Sequence, residues 1–211
     1  CKLHNTQFKN KIFDIFFVPN KRQVCNRFLL NIWSKKMNII DRFFIFPLWF
    51  LINTKIFKYF YAKHILDHRK DKNFPHFDTE FLIPISKQNI FLEKKDNETC
   101  LELLKKNKID ENKKFICLHV RDNLYLKKKY PRKDYSYHDY RDFEINDFEK
   151  LCKFFEKQGF LIFRMGNKSL KKMEFKNENI IDYSNSSFLS DKMDIYLISQ
   201  CSIFIGAESG L

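Results

Sequence analysis

From residue 115 onward the apolar positions fall into two rhythms. Phe115 to Val120 is a short continuous apolar run, suited to a buried strand. Ile145, Phe148, Leu151, Cys152 and Phe155 then recur at helical spacing, with Asn146 or Asp147 as the expected cap and Gly159 as the expected stop. Phe160 to Met165, Ile180 to Tyr183 and Ser202 to Gly206 read as three more strands. Between the last two, Leu189, Met193 and Leu197 form an i, i+4, i+8 stripe. Ser190 is its expected cap, and Asp191 and Asp194 occupy the first turns, where carboxylates suit the positive end of the helix dipole. Strand, helix, strand, strand, helix, strand predicts a parallel sheet with helical crossovers, the Rossmann-like α/β class.

The first half is less regular. Ile12 to Val18 is predicted as a strand leading through Pro19 into a helix from about Arg22 to Met37. Residues 43 to 52, Phe-Phe-Ile-Phe-Pro-Leu-Trp-Phe-Leu-Ile, form the most apolar run. Ten residues are too few to span a bilayer and Pro47 interrupts them, which leaves either a buried core segment or an interfacial element flanked by Lys and Arg. Lys94 to Lys114 is a charged stretch around Leu101, Leu103 and Leu104, expected to be a surface helix approaching the second domain. Residues 1–114 are thus expected to hold part of an N-terminal α/β domain and a linker, and residues 115–211 the second domain. The chain opens at Cys1 and stops at Leu211, just after a strand-like run and a Ser-Gly pair, so both ends are expected to be cuts in a longer protein.

Composition narrows the chemistry. The 211 residues include only 4 glycines, at 159, 166, 206 and 210, which excludes a glycine-rich phosphate loop from the first 158 residues. Net charge is +13, unevenly placed: residues 1–114 hold 23 Lys or Arg against 12 Asp or Glu, residues 115–211 hold 16 against 14. A basic first half favours an anionic membrane, nucleic acid or a phosphorylated substrate, or is simply a solvated basic surface. Lys far exceeds Arg, as an A/T-rich coding sequence would produce, so each Arg carries more information. Six cysteines without a CxxC pair fit neither a zinc ribbon nor a disulfide scaffold, and point to a reduced, cytoplasmic compartment.

Candidate chemistry gathers late in the chain. His119-Val120-Arg121-Asp122 sits at the end of the first strand of the predicted sheet, and ligands in open α/β sheets bind at the carboxyl ends of strands. Arg121 offers a planar fork for phosphate oxygens, with His119 as a second donor; the alternative is an Arg121 paired with Asp122 or another carboxylate. Arg164, in a strand beside Gly166, either reaches the same crevice or pairs with Asp182. Asp194 to Gly210 reads as helix, strand and small-residue turn, whose Ser209 hydroxyl and amides near Gly210 suit a phosphate. Tyr135, Tyr137, His138 and Tyr140 line either an acceptor groove or an exposed loop. His64 and His68 stand at i and i+4, but with no third ligand they read as a solvated helix face and no metal site is assigned. Lys127 to Lys129, with Tyr125 and Tyr130, suit nucleic acid by charge and stacking, but no recognised module surrounds them.

On these residues the chain resembles the fucosyltransferase-like glycosyltransferases of GT-B fold. In that superfamily a His-x-Arg strand end, an Asp-hydrophobic helix ending in Ser-Gln, and a strand with a serine turn form the nucleotide-sugar pocket. The matching positions are His119, Arg121, Asp194 and Ser209. More narrowly, Phe115 to Arg141, Arg164-Met-Gly166, Ile181-Asp-Tyr183 and Ser190-Asp-Lys-Met-Asp194 are similar to bacterial glycosyltransferases of surface-polysaccharide synthesis, and Val24-Cys-Asn-Arg27 to the region preceding it. The resemblance implies metal-independent transfer from a nucleotide diphosphate sugar to a cell-surface glycan or lipid-linked precursor, with no cofactor beyond that donor. It further implies a cytoplasmic protein, peripheral at the inner face of an anionic membrane.

In that scheme Arg121 and His119 are the catalytic pair, meeting the charge on the departing diphosphate, while Arg164, Gly166, Asp194, Ser209 and Gly210 line the donor pocket. Asp122 stands where the fucosyltransferases often carry a second Arg, and Gly166-Asn167 where they carry an acidic pair, which leaves donor base and sugar open. Asp122, Asp139 and Glu208 are the candidate bases. The rival reading is a non-catalytic nucleotide or nucleic-acid-binding protein; on the leading one, nucleic acid is not an expected partner.

Overall fold

The computed structural model describes residues 15–18, 24–41, 44, 46–47, 50–51, 54–55, 59, 91–121, 127, 131–166, 173–175 and 177–206. They belong to two compact units, Cys1–Phe91 and Leu92–Leu211.

In the first unit, β1 (Ile15–Val18), α1 (Arg27–Ser34) and β2 (Asn38–Asp41) form a β-α-β unit. The strands pair in parallel, with Ile15 opposite Asn38 and Val18 opposite Asp41. The helix starts later than its periodicity suggests because Asn26 is extended and its side-chain oxygen accepts from the Leu29 amide at 2.8 Å, a cap that sets the first turn. The apolar run gives a correction. Phe44, Phe46, Phe50 and Leu51 are helical and exposed, so at these positions it is not buried core.

The second unit begins with α2 (Lys94–Lys106) and continues through β3 (Phe115–His119), 3-10 turns at Ser136–Arg141 and Ile145–Phe148, α3 (Glu149–Lys157) and β4 (Leu161–Met165). It ends with β5 (Ile180–Ile181), a 3-10 turn at Tyr183–Asn185, α4 (Asp191–Gln200) and β6 (Ile203–Gly206). The four strands are parallel, in the order β5-β4-β3-β6. The two central strands, β3 and β4, are covered on both faces, which is why they read as largely apolar runs, whereas the edge strand β6 is mostly exposed.

Side chains alternate across a strand, and the alternation separates two cores. Phe115, Cys117, Leu161, Phe163 and Met165 face Cys100 and Leu104 of α2 and Met193, Tyr196 and Leu197 of α4. Ile116, Leu118 and Ile162 face Cys152 of α3 together with Ile145. Each fully buried apolar side chain of this kind contributes roughly 1.5–3 kcal/mol. The layers are therefore α3, sheet, then α4 with α2. Lys192 of α4 reaches Asp96 of α2 at 2.6 Å, fastening that second helical layer. The helix expected on the surface thus buries one face in the core, and it belongs with the second unit rather than with a linker ending at residue 114.

Two further expectations shift for local reasons. Asn146 and Asp147 do not cap α3, because Ile145–Phe148 is already wound as a 3-10 turn and the Asn146 oxygen accepts from the Glu174 amide at 3.3 Å. The third strand stops at Ile181, since Tyr183 turns inward and is fully buried. Gly159 ends the α3 segment as expected, at φ +84, a conformation that a side chain would strain.

Candidate functional site

The chain path around β3 creates the position where a ligand would sit. From β3 the chain crosses through α3 to β4 and β5 on one side, then returns through α4 to β6 on the other side of β3. The carboxyl end of β3 is therefore a topological switch point, where crossovers on opposite faces leave a crevice beyond the strand ends. His119 ends β3, opposite Met165 of β4 and Gly206 of β6. Arg121 follows two residues later. Its side chain is 12% exposed and lies 3.6 Å from the Asp142 carboxylate, which is itself largely buried.

Among the described residues the carboxylate beside Arg121 is therefore Asp142, one of the other carboxylates that the sequence allowed for; Asp122, the one it named, lies outside the described residues. The tyrosine-rich connection brings Asp142 to the strand end. The Phe143 amide donates to the Arg121 carbonyl at 3.1 Å, which returns the connection to the strand end. Asp134 accepts from the Ser136 amide at 2.9 Å and starts the turn Ser136–Arg141. Along that turn Tyr137 and Tyr140 are exposed, with the Arg141 guanidinium 5.2 Å from the Tyr140 ring centre. Asp142 was missed as a candidate because its spacing from Arg121 carries no motif; only the hydrogen-bonded return of the chain joins them.

Arg164 takes the other of its two expected roles. Its side chain is 3% exposed and lies 3.5 Å from Asp182, just past β5. Asp182 also accepts from the Ser184 hydroxyl at 2.7 Å and the Asn185 amide group at 2.8 Å, so the carboxylate is held from both sides. Arg164 is thus built into the wall beneath the strand ends. Gly166, directly after β4, has φ +137, and a Cβ there would stand 3.7 Å from the Ser184 Cβ. The glycine lets the chain turn off the strand close to that wall.

Asp194 is likewise engaged internally. The Tyr183 hydroxyl donates to its carboxylate at 2.6 Å and accepts from the Ser190 amide at 3.2 Å. Burial raises the Asp194 pKa above the ordinary carboxylate range, the Tyr183 bond opposes that rise, and Asp191 adds to it. Burial also raises the Tyr183 hydroxyl, with the Asp194 carboxylate adding to it, so the tyrosine stays protonated and donating. Asp194 therefore orders the start of α4 at the same edge of the sheet. Sequence reasoning missed Tyr183, whose alternation as a strand end gave no sign of a buried hub.

Ser209, Gly210, Asp122, Glu208, His64 and His68 lie outside the described residues. Of the three candidate bases, only Asp139 is described; it is exposed on the Ser136–Arg141 turn. Among the described residues, no three His, Cys, Asp or Glu side chains form a metal-ligand group. No family model matches the chain, and neither curated proteins nor solved structures give a match. Among the described residues no helix is long and apolar enough to cross a membrane.

Proposed function

We propose that the second unit binds the diphosphate of a nucleotide sugar at the carboxyl end of β3, and that the protein transfers the sugar to a glycan or lipid-linked acceptor. The observation that supports this reading most is Arg121 beside the switch point of a parallel α/β sheet. Departure of a nucleoside diphosphate leaves negative charge on its oxygens, and a fixed guanidinium is the side chain best matched to that charge. Asp142 would hold the guanidinium in place until the diphosphate competes for it. His119 would donate to a phosphate or ribose oxygen from the strand end. The GT-B architecture, the surface-polysaccharide context, a cytoplasmic location and the roles of Ser209 and Gly210 come from the sequence resemblance and form part of the proposal.

Exposed Tyr137 and Tyr140 favour the acceptor side of the same crevice, because sugar rings stack on aromatic faces. Within the donor reading, Arg164 and Asp194 act as positioning residues, holding the wall and the start of α4.

The test is calorimetric titration of the chain with UDP, GDP, CDP and TDP, followed by a sugar-nucleotide turnover screen. At least one diphosphate is expected to bind, and Arg121→Ala should weaken it about 10- to 100-fold, the loss of a charge-assisted pair. Equal binding by Arg121→Ala, or binding of single-stranded RNA in place of every diphosphate, would overturn the reading.

A further inference from the structure

The strand β6 carries an aromatic ring that none of the roles above uses. Its register places Phe204 opposite Cys117 and Gly206 opposite His119, so these four positions lie on one face of the sheet, the face that α4 and α2 cover. Phe204 is nevertheless 41% exposed. Its ring leans along β6 toward the carboxyl end: a Cβ added to Gly206 would stand 2.8 Å from one ring carbon, 3.4 Å from the next and 3.5 Å from the His119 Cβ. Exposure alone is what an edge strand shows, as at Ile203 on the opposite face; the lean toward the strand end is particular to Phe204. The ring thus lies over the last residue of β6, beside His119, at the switch point between β3 and β6. Gly206 is outside the left-handed region, so what this glycine provides is room for the ring.

In the donor reading two parts of the nucleotide sugar already have places. The diphosphate is assigned to Arg121, and the sugar must meet an acceptor beside the connection that carries Tyr137 and Tyr140. That connection leads to Ile145 and α3, on the other face of the sheet. The nucleoside is left with the side where β6 adjoins β3. A nucleobase is planar and presents a π-face, so it gains by stacking on an aromatic side chain without a hydrogen-bond partner. We propose that Phe204 is the stacking surface for the nucleobase of the donor, and that Gly206 is small so that the ring can lie at the strand ends. This inference rests on the donor reading and adds to it the contact that distinguishes a nucleotide from other phosphates.

Calorimetric titration of the whole chain tests it, with UDP, GDP, CDP and TDP beside ribose 5-diphosphate, which has the same charged groups and no base. Phe204→Leu keeps apolar bulk on the strand and removes the aromatic face. It should weaken the nucleoside diphosphate that the wild-type chain binds about tenfold or more, with ribose 5-diphosphate affinity and the urea midpoint unchanged. Gly206→Ala, whose Cβ displaces the ring, should have the same selective effect, whereas Arg121→Ala should weaken both ligands. Phe204→Trp should add emission that the nucleoside diphosphate quenches and ribose 5-diphosphate does not. Full nucleotide affinity in Phe204→Leu, an equal loss for the ligand without a base, or no quenching of the added tryptophan would overturn the role of Phe204 and leave the phosphate site at Arg121 standing. A wild-type chain that binds neither class of ligand would overturn both readings.

Discussion

At the residue scale, the Tyr183–Asp194 pair links the packing of the second unit to its candidate site. A carboxyl group whose folded pKa is raised favours folding most when protonated, so its contribution is present at acid pH and is lost as pH rises through the raised value. Asp194→Asn keeps an acceptor for Tyr183 and removes the charge. Its stability relative to wild type should therefore improve between about pH 4 and about pH 7, measured as urea midpoints. Tyr183→Phe removes the donor to Asp194 and the acceptor for the Ser190 amide, and should cost about 1–3 kcal/mol at neutral pH. The place of His119 and Arg121 at a strand end was legible in the sequence because His-Val-Arg closes a short apolar run. Asp142 and Tyr183 were not, because their partners are set by how a long connection and a short turn fold back, and neither leaves a spacing to read.

The same division holds for elements. β3, β4 and α4 were legible because each buries a continuous run or a regular stripe, and Ser190 marked the start of α4 correctly: its hydroxyl oxygen accepts from the Met193 amide at 3.3 Å. The start of α3 and the length of β5 were not legible, since hydrogen bonds specific to the tertiary fold claim Asn146 and Tyr183. α4 joins the core that it shares with α2 to the edge where the candidate site lies, so its cap has a measurable share in stability. Ser190→Ala should destabilise the protein by about 1 kcal/mol in urea unfolding, and Ser190→Asn should recover most of the loss. An alanine variant as stable as wild type would mean that the helix start is held by Tyr183 instead.

At the scale of the whole molecule, the parallel class could be read from the order of strands and helices, but the boundary between the units could not. The many charges of residues 94–114 suggested a surface element outside the sheet domain, yet a helix needs only one apolar stripe to be integral, and Cys100 and Leu104 supply it. Removing α2 would uncover Met193, Tyr196 and Leu197 and break the Lys192–Asp96 pair. Burial of Leu104 alone represents roughly 1.5–3 kcal/mol, to which Cys100 adds, against a total stability of about 5–15 kcal/mol for an ordinary domain. A protein comprising residues 92–211 should therefore unfold cooperatively on heating and give dispersed amide resonances. One comprising residues 115–211, cut where the sequence suggested, should show neither and should expose apolar surface to a hydrophobic dye. If the shorter protein folds as well as the longer, α2 is an accessory of the sheet and the first boundary was sound. If only the longer one folds, the lysine-rich stretch is part of the core that holds the strand ends, and with them Arg121, in place.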